Sequence, residues 1–207
     1  MRKRVKLGLA APMAALLLAG VLSTASARSL SVTNQNIRVT WANLEFSNEG
    51  PTIRCQVTLE GSLHSRTITK IARTLVGMIT RATIAEERCA GGPVTPRALP
   101  WHLTYESFVG LLPTPTAIRF LISRYLFRIV ASELACTYGT ATDNLTFTAT
   151  INAAREFTEF MPFEGANVSH LLEGLFLCRS ERAMASPAGD GLIHVLGTTA
   201  KITITLI

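Results

Sequence analysis

The chain has 207 residues, of which 48% are hydrophobic and 16% are charged, and its formal net charge is +6. Four of its 20 Lys and Arg residues, and none of its 14 acidic residues, precede position 28. Subtracting these four leaves 16 basic against 14 acidic residues, a net charge of +2, in the remaining part. This near balance argues against nucleic-acid binding, which uses a strongly basic surface.

The N-terminal segment has the three parts of a secretory signal. Arg2, Lys3, Arg4 and Lys6 form a basic start, residues 7–22 are apolar, and the small residues 23–27 end in A-x-A spacing. We therefore predict a signal peptide over residues 1–27. A membrane-spanning helix is disfavoured because it needs about 20 apolar residues. Residues 28–207 are expected to form a single β-rich domain that is secreted, with no membrane span after cleavage.

Cysteine usage agrees with an oxidising compartment. The predicted domain has four cysteines: Cys55, Cys89, Cys136 and Cys178. Three pairings are open, and we favour Cys55–Cys89 with Cys136–Cys178 because each joins neighbouring segments. A metal site is disfavoured because no C-x-x-C pair occurs and the histidines are not at ligand spacing from the cysteines. The chain has four histidines: His64, His102, His170 and His194. We expect no metal ligand and no cofactor.

Alternation of apolar and polar residues predicts strands in most of the domain. It occurs at 37–41, 53–59, 145–151 and 202–206. Leu44 and Phe46 fall out of phase with the first run, which indicates a bulge at 42–43. Several such strands separated by turn residues predict an all-β, mainly antiparallel fold, either a β-sandwich or a barrel-like domain.

Two segments are ambiguous between helix and strand. In residues 65–83, apolar side chains recur near helical spacing, so a helix and a strand both stay open there. In residues 117–134, three arginines would form a stripe on a helix, but aromatic and β-branched residues favour strands. The fold class therefore leaves room for one short helix.

The order of several short segments resembles that of secreted proteins from high-GC Gram-positive bacteria with no assigned activity. The resemblance spans most of the predicted domain and implies bacterial export and a β-rich fold, without supplying a catalytic residue. The segments that carry it are 55–62 (a cysteine strand ending in Gly-Ser), 64–68 (His-Ser-Arg-Thr-Ile), 80–83 (Thr-Arg-Ala-Thr), 89–92 (Cys-Ala-Gly-Gly), 99–102 (Leu-Pro-Trp-His) with Tyr105, and 196–199 (Leu-Gly-Thr-Thr).

Candidate chemistry is sparse, and no catalytic residue is assigned. Gly61-Ser62-Leu63-His64 is not the G-x-S-x-G motif of hydrolases. Glu156, Glu159 and Glu164 lie in a phenylalanine-rich stretch, where paired carboxylates would suit glycoside hydrolysis. They fit a solvated loop better. Trp101 and Tyr105 share one face of a predicted strand. If this face is exposed, the two rings are able to stack on sugars; if it is buried, they belong to the core.

Two functions follow from these residues. The first is a non-catalytic secreted β-domain that is envelope-associated or binds a cell-surface glycan or protein, with Trp101 and Tyr105 as candidate binding residues. The alternative is a secreted hydrolase of glycosides or esters that uses the glutamates or histidines. A cleft in which carboxylates or a histidine converge would favour the hydrolase.

Overall fold

The computed structural model describes residues 29–47, 52–90, 92–111, 114–131, 134–139, 144–162, 168–174, 178, 182–185 and 191–207. All regular elements in these ranges are strands. In chain order they are β1 (Ser29–Val32), β2 (Asn36–Ser47), β3 (Ile53–Leu63), β4 (Thr67–Thr69), β5 (Leu75–Ala90), β6 (Val94–Arg97), β7 (Trp101–Leu111), β8 (Thr114–Ser123), β9 (Leu126–Ala131), β10 (Leu134–Gly139), β11 (Leu145–Ile151), β12 (Phe157–Pro162), β13 (Val168–Glu173), β14 (Arg182–Ala185), β15 (Gly191–Val195) and β16 (Ile204–Leu206).

Eight antiparallel strands close into a barrel-like sheet. The order is β2-β3-β5-β7-β8-β11-β12-β15, and β15 then pairs with β2. Leu192 marks the closure, because it lies opposite Glu159 of β12 on one side and Thr40 of β2 on the other. Closure leaves no unpaired edge along this ring of strands. The predicted all-β, antiparallel, barrel-like class is confirmed.

Two further groups of strands extend the barrel. The far end of β2 continues into β14-β13-β10-β9-β6, starting from the pairing of Ser47 with Met184. A separate three-stranded sheet, β16-β1-β4, lies at the barrel end where β11 turns into β12. There the Ile204 amide donates to the Arg155 carbonyl at 2.8 Å, and the Phe157 amide donates to the Ile202 carbonyl at 2.9 Å.

The core is continuous through the barrel and the small sheet. Alternate residues of each barrel strand point inward, and the burial pattern of β3 reads buried at every second position. Trp41 is fully buried, and its Nε1 donates to the Phe160 carbonyl at 3.0 Å. Its ring lies 5.9 Å from Phe147 and 6.0 Å from Phe160, measured between centroids. Leu30 of the small sheet joins the same buried cluster.

Both predicted disulfides are present. Cys55–Cys89 links β3 to β5, and Cys136–Cys178 links β10 to the segment that follows β13. Two bridges are typical of a chain that folds in an oxidising, extracellular environment. No helix suited to crossing a bilayer occurs in the described part of the chain.

The helix left open over residues 65–83 does not form. This segment holds β4, a turn and the start of β5. Ile68 is buried in β4, whereas Ile71 in the turn is 67% exposed. The apolar residues at helical spacing therefore belong to three different elements, namely β4, the turn and β5. Residues 117–131 form strands, as predicted, with a turn at Arg124 between β8 and β9. The predicted bulge is confirmed by the register shift between Trp41 and Leu44.

Candidate functional site

The histidines and glutamates singled out in the sequence are scattered over the described part of the fold. The lining residues of four described pockets include none of them. His64 is exposed after β3, His102 lies in β7, the backbone of His170 lies in β13, and His194 lies in β15. Glu156 closes the β11–β12 turn and Glu159 lies in β12, while Glu164 falls outside the described residues. None of these four pockets therefore brings a described candidate acid and base together.

His194 belongs to a row of charged side chains on the outer barrel wall. It lies opposite Arg38, whose Nη2 is 2.7 Å from Glu60 Oε1. Arg81 Nη1 is 3.5 Å from the other oxygen of Glu60. Burial, together with the positive charges of Lys201 and Arg38, lowers the pKa of His194. This arrangement disfavours the charged imidazolium form of His194.

Trp101 and Tyr105 lie in the core rather than on an exposed platform. Their exposed fractions are 7% and 2%. Trp101 Nε1 donates to the Arg97 carbonyl at 2.8 Å, and its ring meets Tyr125 edge-on at 6.3 Å. Burial raises the pKa of the Tyr105 phenol. Because β7 directs these side chains into the barrel, neither ring is available to stack on a sugar.

The barrel interior is filled by side chains. Two internal cavities measure about 30 Å³ and about 50 Å³ and are lined almost wholly by apolar residues such as Leu59, Phe120 and Phe147. Pockets for small organic ligands measure roughly 300–1,000 Å³. Neither cavity is large enough for such a ligand.

An external groove of about 340 Å³ lies at the barrel end covered by the small sheet. We call it the β8–β16 groove. It lies between the start of β8, the β11–β12 turn and β16, and its side chains fall into an apolar group and a polar group. The lining residues are Thr114, Pro115, Thr116, Ile151, Asn152, Ala153, Arg155, Ile204 and Leu206.

Most polar side chains of the β8–β16 groove already have partners. The Thr114 and Thr116 hydroxyls donate to the carbonyls of Leu111 at 3.5 Å and Val109 at 3.3 Å. Asn152 Nδ2 donates to Glu156 Oε2 at 3.0 Å, and Asn152 Oδ1 accepts from the Glu156 amide at 2.9 Å. Arg155 is exposed, and no described carboxylate forms an ion pair with it.

A second depression of about 440 Å³ lies on the sheet formed by β6, β9 and β10. Arg97 and Arg128 line it together with Thr137, which is directly opposite Arg128 in the register. It is wide and shallow. Its two guanidinium groups make it a basic surface without an apolar floor comparable to that of the β8–β16 groove.

Sequence reasoning did not identify the arginines of either depression. The signal at Arg155 is the segment 152–156 (Asn-Ala-Ala-Arg-Glu), which interrupts the alternation of apolar and polar residues. Such an interruption indicates a turn but does not show which part of the fold the turn faces. Among the described residues, no group of three or more His, Cys, Asp or Glu side chains is placed to hold a metal ion. No family model, no curated protein and no solved structure matches the chain.

Proposed function

We propose that the protein is a secreted, non-catalytic β-domain that binds a component of the cell surface or its surroundings. The observation that carries this proposal is that the β8–β16 groove and the candidate catalytic side chains lie in different places. The external β8–β16 groove has a volume of about 340 Å³, and none of the candidate glutamates or histidines lines it. Catalysis by acid and base needs such groups within reach of the reacting atoms.

Secretion is part of the proposal and has its own support. Residues 1–27 carry the pattern of a signal peptide, and the four cysteines of the chain are joined in two disulfides. Expression of the full coding sequence in a Gram-positive host should release a product whose first residue is Arg28 or lies within a few residues of it. N-terminal sequencing of the medium fraction checks this. A product that starts at Met1 in the membrane fraction would contradict it.

The binding role is tested separately from secretion. Purified protein is incubated with washed cell envelopes and sedimented, and the same preparation is assayed on ester, glycoside and peptide substrates. We expect co-sedimentation without turnover. If measurable turnover occurs and is abolished by Glu159→Gln or His102→Gln without a change in melting temperature, the hydrolase alternative replaces this proposal.

A further inference from the structure

The β11–β12 turn fixes one arginine at the mouth of the β8–β16 groove. The Asn152 amide donates to the Glu156 carbonyl at 3.0 Å, and the Arg155 amide donates to the Asn152 carbonyl at 2.9 Å. Arg155 has φ of 60°, the left-handed conformation that glycine adopts without steric cost. Its own carbonyl accepts from Ile204 of β16. The backbone that carries the guanidinium is thus held from both sides of the groove.

The apolar part of the groove lies beside this cation. Ile204 is buried, and Ile151 and Leu206 are half-buried, so three aliphatic side chains meet below the rim. An apolar surface next to an exposed positive charge suits a ligand with an aliphatic chain and an anionic head. The volume of about 340 Å³ falls within the range of small-ligand pockets.

The hydrogen bonds within the groove favour a carboxylate over a sugar as its ligand. The hydroxyl hydrogens of Thr114 and Thr116 are directed to backbone carbonyls, and both ends of the Asn152 amide contact Glu156. A sugar presents many hydroxyls that need partners, and leaving polar groups unpaired on burial is costly. The guanidinium of Arg155 is the one donor group of the groove side chains without a described partner, and its geometry matches a carboxylate.

We propose that the β8–β16 groove binds a small aliphatic carboxylate, with its head on Arg155 and its chain on Ile151, Ile204 and Leu206. This inference names the ligand class of the binding function proposed above and rests on it. Glu156 is the nearest acidic residue in sequence, but it does not line the groove, and its Oε2 accepts a hydrogen bond from Asn152 Nδ2.

The test uses protein produced from the full coding sequence and calorimetric titration with octanoate, hexanoate and octanol. We expect octanoate to bind up to about 15-fold more tightly than hexanoate, since each buried methylene contributes about fourfold. Octanol, which lacks the charge, should bind at least about tenfold more weakly than octanoate.

Two variants locate the head group. Arg155→Gln should weaken octanoate binding at least about tenfold, because it removes the cation but keeps a long polar side chain. Arg73→Gln is the matched control, since Arg73 is also exposed and has φ of 68°, and it should bind like the parent protein.

Three outcomes would overturn the inference: folded parent protein that does not bind octanoate at millimolar concentration, equal binding of octanol and octanoate, or an Arg155→Gln variant that binds as the parent does. The envelope sedimentation assay is independent of these titrations. Sedimentation without octanoate binding would leave the binding function standing and refute only the ligand class.

Discussion

Gly191 is the residue whose replacement tests the packing of the barrel most directly. It lies in β15, opposite Phe160 of β12, and the Trp41 indole rests against it. A Cβ atom at this position would overlap Trp41 Cε2, and it would be 2.5 Å from Trp41 Nε1 and 2.8 Å from the Phe160 carbonyl oxygen. Gly191→Ala therefore cannot be accommodated unless the indole or the strand moves.

The loss of stability expected for Gly191→Ala depends on the atoms that the new Cβ would contact. Forcing one extra carbon into a packed core typically costs about 1–3 kcal/mol. We expect the upper part of this range for Gly191→Ala, because Trp41 is fully buried and its Nε1 is held by the Phe160 carbonyl at 3.0 Å. Leucine ends at its Cδ atoms and has none at the positions of Trp41 Cε2 and Nε1. In a Trp41→Leu background the same substitution should cost only about 1 kcal/mol, a coupling of about 1–2 kcal/mol.

The assay is urea unfolding of the four proteins of this cycle, followed by far-UV circular dichroism with the disulfides intact. Gly61→Ala serves as the control, because its Cβ would meet the backbone oxygen of Met78, a contact that does not involve residue 41. The effects of Gly61→Ala and Trp41→Leu should add. If Gly191→Ala costs the same in the parent protein and in the Trp41→Leu background, the indole does not set the size of residue 191 and the reasoning is refuted.

Three further predictions concern other parts of the molecule. Replacing Cys136 and Cys178 together by alanine should lower the free energy of unfolding by up to about 4 kcal/mol, because the bridge spans 42 residues, and chemical denaturation measures this. Since the pKa of His194 is lowered on folding, the stability it contributes is present above its ordinary pKa of 6.5 and is lost as the pH falls through its lower folded value. Between about pH 7.5 and about pH 5, the free energy of unfolding should therefore decrease more for the parent protein than for His194→Gln. Equal decreases would contradict this. Arg155→Gly should raise the free energy of unfolding by up to about 1 kcal/mol by relieving the left-handed backbone, and a lower melting temperature would count against it.

Local features of the fold were predictable because they depend on neighbouring residues. The alternation of 53–59 and 145–151 predicts inward and outward faces, and β3 and β11 show that pattern of burial. The phase change after Trp41 predicts a bulge, which the register confirms. The disulfide pairing followed from adjacency along the chain, and Cys55 and Cys89 do lie on paired strands.

Closure of the barrel was not predictable in the same way. It depends on the pairing of residues 192–195 with residues 37–40, which are about 155 positions apart along the chain. Their alternation fits an open sandwich equally well, because each strand has one apolar face in either architecture. Helical spacing in residues 65–83 misled for a related reason. Ile71 and Leu75 are apolar but exposed, so their positions carry no information about a buried face.

The candidate site depends on the same long-range assembly. Pro115 of β8, Arg155 of the β11–β12 turn and Leu206 of β16 line one groove although they come from three distant segments. Conversely, Trp101 and Tyr105 share one face of β7, and the sequence alone does not tell whether this face points out of the barrel or into it. On the outside, the two rings would be able to stack on a sugar. On the inside, they pack in the core. An exposed aromatic strip and a core strip have identical alternation. What separates them is the closure of the sheet, and in this chain closure turns the two aromatic residues inward and leaves Arg155 exposed at a hairpin turn.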